Sequence, residues 1–207
     1  MKIKWLGHAC FKLTCSGGEC VVTDPFDPSV GYGELNETAD ILTVSHGHHD
    51  HCFTEGVKRA KLTVVRAGEY VCGGVKITAL PCFHDDCKGA KRGSNLIVKI
   101  QADGQTAVHL GDLGHMPDKA QLEFIKGADA LLIPIGGFYT IDTKTALEII
   151  DLARPRSAVA MHFSNDFCRF PISSAEEFIK SSGARIIKGE ADISSLPPYA
   201  VFDFQAE

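Results

Sequence analysis

The 207-residue chain predicts an α/β fold in which layered sheets carry helices on their outside. Three observations lead there. Short apolar or alternating runs crowd the first half, strands alternate with helical patterns from Pro117 onward, and no linker, repeat or low-complexity stretch parts the two halves. One domain over residues 1–207 is therefore expected, long enough to bury a core without staples.

Residues 2–7, 10–15 and 20–23 read as strands, with a turn at 16–19. Asp24-Pro25 ends the third run, and 27–38, rich in Pro, Gly and Asp, reads as loop. Residues 40–45 form a short buried strand ending at His46, and 55–60 are expected to be helical. Further strands are expected at 62–65, 74–80, 94–100 and 106–110. Pro117 at a helix start, with Asp118 beside it, opens a helix to about Lys126, because proline suits the first turn and a carboxylate suits the positive end of the dipole. Residues 130–134 are a strand. Asp142 can cap a helix running to Ala153, with Leu147, Ile150 and Ala153 along one face. A strand at 157–161 ends at His162, Ser173-x-x-Glu176 has the form of a capping box for another helix, and strands near Ile186 and Val201 follow.

Composition narrows the function. Hydrophobic residues are 44% and charged residues 23%, too apolar for a disordered chain. Lys plus Arg is 21 against 26 for Asp plus Glu, a net charge of −5, which argues against non-specific nucleic-acid binding. The start lacks the apolar run of a secretion signal, and nothing approaches the roughly 18 apolar residues of a membrane span, so a cytoplasmic protein with no membrane partner is expected. Its eight cysteines contain no Cys-x-x-Cys pair, which favours small apolar core residues over a zinc knuckle; Cys52, next to His51, could lie near whatever the histidines build.

There are nine histidines, and four fall between His46 and His51. In extended chain, side chains repeat every two residues, so His46 and His48 point the same way and can share one divalent metal. If the chain then turns, Asp50 and His51 are presented on a different line, where they could hold a second. The cluster sits where an apolar strand ends, the place α/β proteins put their chemistry. His84, Asp112 and His162 also sit at expected strand ends. That recurrence is hard to explain as surface composition.

The pattern His46-x-His48-x-Asp50-His51 with downstream His84, Asp112 and His162 resembles the metallo-β-lactamase superfamily. So do Leu6-Gly7-His8-Ala9-Cys10-Phe11, Thr23-Asp24-Pro25-Phe26, His109-Leu110-Gly111-Asp112, Leu132-Ile133-Pro134-Ile135-Gly136-Gly137 and Ala160-Met161-His162-Phe163, which are similar to its small ascorbate-6-phosphate-lactonase-like branch. The resemblance covers nearly the whole chain. It implies a four-layer αβ/βα sandwich with the site at one edge between two sheets. It implies that His46, His48 and His84 hold a first metal, that Asp50, His51 and His162 hold a second, and that Asp112 bridges the two. It implies a hydrolase in which a bridging hydroxide attacks an ester, lactone or phosphodiester, with Asp50 and Asp112 as the catalytic carboxylates. Zinc suits such ligands first, with manganese and iron(II) as alternatives.

Weaker signals surround these. Asp24 is a candidate to orient a ligand histidine, or simply a turn residue before Pro25. His8 either faces the pocket or is a satisfied structural histidine. His109 reads as a buried residue behind the site. His115 either meets substrate or sits in a surface loop, and His49 is expected to face away from the metals. The polar segment 83–95 offers Lys88, Lys91 and Arg92 to an anionic group, or is merely solvated. Tyr139 either donates to an oxyanion or packs. The expected partner is a small, anionic molecule, with oligomeric state open. Competing readings are a di-iron redox protein, disfavoured because related oxygen reductases carry Glu at the position of His48 and no flavin domain follows; a nuclease, disfavoured by length and charge; and a metal-binding regulatory protein without turnover.

Overall fold

Apolar runs and alternation sort the strands into two large sheets. A computed structural model of the chain describes residues 1–168 and 170–204. Along the chain come β1 (Lys2–Gly7), β2 (Cys10–Thr14), β3 (Cys20–Thr23), β4 (Glu37–Thr38), β5 (Ile41–Thr43), β6 (Val57–Lys58), β7 (Leu62–Val64), β8 (Gly68–Cys72), β9 (Val75–Phe83), β10 (Ser94–Ala102) and β11 (Gln105–His109). Then follow α1 (Lys119–Ile125), β12 (Ala130–Pro134), α2 (Thr143–Ala153), β13 (Ala158–Met161), α3 (Glu176–Ser182), β14 (Arg185–Lys188), β15 (Glu190–Asp192) and β16 (Tyr199–Asp203).

The first sheet has the order β15-β1-β2-β3-β5-β7, and the second β14-β16-β13-β12-β11-β10-β9-β8. β1, β2 and β3 form an antiparallel meander, whereas β3, β5 and β7 are parallel. In the second sheet β8 to β11 are antiparallel, and β11, β12, β13, β16 and β14 are parallel. All residues of β12 and β13 are buried, as expected of parallel strands covered on both faces. The inner faces meet at Phe11, fully buried, whose ring lies 6.3 Å from those of His109 and Phe202. Burying a side chain of that size contributes about 1.5–3 kcal/mol. The two-sheet frame implied by the resemblance is present, and all three α-helices belong to the second half. The links among β3, β5 and β7 carry 3-10 turns and the β4–β6 ribbon instead.

Several local expectations are corrected. The helix expected at 55–60 is a 3-10 turn, Thr54–Gly56, followed by β6, which pairs with β4; Arg59 at φ 65° also takes a conformation no helix contains. The Ser173 capping box does not form. Ser173 N–H donates to Gly136 O and its carbonyl accepts from Ser164, so α3 starts after Ala175 with no side-chain cap. Asp118 and Gln121 do form a capping box on α1. The inner face of α2 centres on Ala146, Ile149, Ile150 and Ala153, leaving Leu147 half-buried. β8 escaped the sequence because Glu69 and Val71 are exposed and it offers no apolar face. Among the described residues, no helix is long and apolar enough to cross a membrane.

Candidate metal centre

One edge of the two sheets collects the ends of seven strands. His8 follows β1, Asp24 follows β3, and 45–51 follow β5. From the second sheet His84 follows β9, Asp112 lies past β11, Gly136 lies past β12 and His162 follows β13. Among them His8, Asp24, Asp50, His51, His84, Asp112 and His162 are buried.

Two groups of donors result. His46, His48 and His84 place one ligand atom each within 4.8 Å of one another, and so do His8, Asp50, His51 and His162. Asp112 lies between them. Its Oδ2 is 3.1 Å from His84 Nε2 in the first group and 3.1 Å from His162 Nε2 in the second. Its Oδ1 is 3.2 Å from His51 Nε2, and His46 Nε2 lies 3.9 Å from Oδ2. His46 Nε2 and His48 Nδ1 are 3.0 Å apart, and Asp50 Oδ2 is 3.5 Å from His51 Nε2.

These spacings fit bound cations. A tetrahedral zinc ion with bonds of about 2.0–2.1 Å holds its ligand atoms about 3.3 Å apart. Buried polar atoms almost always have partners, yet His51 Nε2, His84 Nδ1, Asp112 Oδ1 and His162 Nδ1 have none. Two of them, His51 Nε2 and Asp112 Oδ1, face each other out of line for a hydrogen bond.

Behind the donors stands a second set of contacts. Asp24 Oδ1 accepts from Ser45 N–H at 2.8 Å, while its Oδ2 accepts from Ser45 Oγ at 2.5 Å and from His51 Nδ1 at 2.9 Å. Ser45 Oγ also lies 2.9 Å from His46 Nδ1, so Asp24 steadies a histidine of each group. Asn95, a buried amide in an apolar strand, accepts from Asp112 N–H and donates to Leu110 O, fixing the turn that carries Asp112. Gly111 sits at φ 53° in that turn, where a Cβ would come within 2.3 Å of Asn95 Oδ1. His109 donates to Ala9 O and accepts from Gly111 N–H, joining the two sheets as a buried structural residue.

The charge states suit cation binding. Burial, then the neighbouring His51, pushes the His46 imidazole down to about 3, and burial with His84 lowers His48. Burial opposes ionisation of Asp112 and Asp50, but the surrounding histidines outweigh it and hold both carboxyls below their ordinary range. His51 goes the other way: burial would lower it, but Asp112, Asp24 and Asp50 raise it well above an ordinary imidazole. Ionised carboxylates and neutral imidazoles are the donors a divalent cation requires.

The donors open onto a cavity of about 360 Å³ lined by His48, His49, Asp50, His84, Asp112, Arg92, Tyr139 and Phe170. Arg92 comes from the loop 85–92, which wraps one buried carboxylate. Asp85 Oδ1 accepts from the N–H groups of Cys87 and Gly89, and Oδ2 from those of Lys91 and Arg92. The Arg92 guanidinium donates to Phe138 O at 2.8 Å and sits 5.7 Å from the Tyr139 ring centre. The side chain of Lys91 is exposed beside Asp86, outside the cavity lining. His115 is also outside it, with its ring nitrogens on Phe83 N–H and Met116 O, so it pins a loop. His49, expected to face away, lines the cavity with its Nδ1 3.9 Å from Asp50 Oδ1. Phe170, Asn95 and Asp85 carried no signal in the sequence beyond a polar residue in an apolar strand or a turn. The cysteines are all free, and Cys52 Sγ reaches only Gly47 O.

Comparison with known proteins agrees with this arrangement. Residues 2–162 match the Beta-lactamase superfamily domain. The chain is 30% identical over 205 residues to a UPF0173 metal-dependent hydrolase of Carboxydothermus hydrogenoformans, covering 85% of this chain and 88% of the relative. It is also 30% identical to one of Pyrococcus abyssi, covering 88% and 92%. A crystal structure from Thermotoga maritima, named for a Zn-dependent hydrolase of the metallo-β-lactamase superfamily, superimposes with a TM-score of 0.81 at 34% identity, covering 99% of each chain. With a cluster of histidines and aspartates able to hold metal and relatives of this kind across most of its length, the chain belongs to the metallo-β-lactamase superfamily and is one of its metal-dependent hydrolases.

Proposed function

We propose that this hydrolase works with two divalent ions, zinc first among them, and cleaves an ester, lactone or phosphodiester bond in a small anionic substrate. The observation that carries the reading is Asp112, whose Oδ2 stands 3.1 Å from one imidazole of each donor group. His46, His48 and His84 would hold one ion, Asp50, His51 and His162 the other, and Asp112 would span both. Ions so held would supply Lewis acidity and hydroxide at neutral pH. The chain's own residues do the rest. Asp50 borders the cavity with Oδ1 on the His49 side, where it can accept a proton during turnover. Arg92, braced by Phe138 O and Tyr139, offers a charged fork to an anionic group, while Tyr139 and Phe170 give the cavity its apolar wall. The overall charge of −5 does not oppose this, because Asp50 and Asp112 would be neutralised by the ions.

The test is a panel of lactones, phosphodiesters, phosphorylated sugars and thioesters offered to protein reconstituted with zinc, manganese or iron(II). One class should turn over, and His48→Ala should bring it to background. Two bound ions with every substrate inert would instead support a regulatory protein.

A further inference from the structure

We infer that His8 is a positioning residue for Asp50, holding its Oδ2 in place for the second ion by a hydrogen bond, with the Cys168 thiol fixing which ring nitrogen donates. This rests on the two-ion reading above.

His8 is fully buried. Its Nε2 lies 3.1 Å from Asp50 Oδ2, and its Nδ1 lies 3.9 Å from Cys168 Sγ, also fully buried. A carboxylate can only accept, so Nε2 must carry the proton, and Nδ1 is then the acceptor for the S–H. The thiol is available for this, because burial pushes Cys168 up and keeps it protonated. Both ring nitrogens are thus paired within the protein. That separates His8 from His51, whose Nε2 is buried without a partner. His8 is therefore assigned as the group that holds a ligand rather than as one more ligand.

The backbone holds the ring from behind. The His8 carbonyl accepts from Trp5 Nε1 at 2.9 Å and from His162 N–H at 3.2 Å. His8 itself sits at φ 51°, and Gly7 before it at φ 120°, where a Cβ would lie 2.6 Å from Tyr32 Cγ. The imidazole is wedged 4.2 Å from the His162 ring. Without it, Asp50 Oδ2 keeps only His51 as a neighbour and is free to rotate out of the donor group.

The experiment titrates metal-free protein with zinc against a chromophoric chelator, counting equivalents and affinities, with a thermal melt as the check on folding. His8→Leu keeps bulk and removes the donor; His8→Gln restores an N–H at similar reach. Wild type should bind two equivalents. His8→Leu should weaken one of them about 10–100-fold and leave the other unchanged, the usual cost of losing a group that orients a ligand. His8→Gln should recover most of the loss. Should the Leu variant not fold, Cys168→Ala leaves the His8 backbone untouched and should weaken the same equivalent by a smaller factor. Wild-type affinities in His8→Leu or Cys168→Ala overturn the assignment. So does a Gln variant as impaired as the Leu one, if its cobalt-substituted form has also lost an imidazole from its spectrum, because His8 would then be a ligand. A wild-type protein that takes only one equivalent overturns the two-ion reading itself.

Discussion

Exchanging Asp24 for Asn should disable one metal group while leaving the fold almost intact. Asp24 is 1% exposed and accepts three hydrogen bonds, two from Ser45 and one from His51 Nδ1. Because a carboxylate only accepts, the His51 proton is forced onto Nδ1, and the Nε2 lone pair is free toward Asp112 and Asp50. Asn has the same shape. Its carbonyl keeps the Ser45 N–H, but an amide NH₂ takes the place of Oδ2. That NH₂ needs an acceptor, so His51 presents its Nδ1 lone pair and moves the proton to Nε2, which blocks the ligand position. The structural cost is one charge-assisted bond exchanged for a neutral one, about 1 kcal/mol, or about 2–4 °C in melting temperature for a chain of this length. The metal cost is larger: about 10–100-fold in affinity for one equivalent, or about 1.4–2.8 kcal/mol. Calorimetric titration with zinc, beside a melt of the metal-free protein, separates the two. Unchanged affinity for both equivalents would refute the tautomer argument, and so would a melting point lowered by well over about 10 °C, which would mean the network holds the fold rather than the ring.

Two further outcomes follow from the site. Arg92→Ala should raise KM for an anionic substrate about tenfold, the worth of one hydrogen bond to a charged group, with kcat little changed; an equal rise for a neutral analogue would remove the arginine from recognition. The pH dependence has a defined sign. The folded value of His51 is raised, so its contribution to the metal-free fold is complete below an ordinary imidazole value and is lost as pH rises through the raised one. The same proton must leave when the second ion binds, so that affinity should climb with pH until the raised value is passed and then level off. His46 and His48 are lowered and already neutral near pH 7, so the first ion should bind there without proton release. Zinc-binding heats measured at pH 7 in buffers of different ionisation enthalpy count the protons; none released with either ion would contradict this assignment.

The donors were legible because of where they stand. His46, His84 and His162 each follow a strand whose apolar residues are visible in the sequence, and a parallel strand delivers whatever follows it to one edge. The layered sheets were legible from the same runs. What the chain hides is whatever depends on partners far away in sequence. His49 looked spare because its neighbours were claimed, yet an irregular turn after His48 brings it to the cavity wall. Asp85 and Asn95 look like loop and strand residues, and only the folded chain shows one gathering four amides and the other holding Asp112. Ser173-x-x-Glu176 has the local form of a cap, but Gly136 and Ser164 take the Ser173 backbone first. Residue 115 stands beside the site in sequence, and its ring is spent on a neighbouring strand.

The backbone gives a reason why position was readable and orientation was not. His8, Asp24 and His162 are the residues immediately after β1, β3 and β13, and all three have positive φ, at 51°, 40° and 53°. For residues with a Cβ that conformation costs about 1–2 kcal/mol each. None of the three is glycine, because each must supply a side chain as well as the turn. A left-handed residue at a strand end breaks the alternation that would have set the direction of its side chain, and turns it into the cleft between the sheets. The strain is offset by bonds that belong to the site: three to the Asp24 carboxylate, two to the His8 carbonyl, and one of those two from His162 itself. The local chain therefore resists the arrangement, and long-range contacts impose it. Each strained corner is held by another corner of the same centre, so the donors are arranged in the metal-free fold and not merely gathered by the ion.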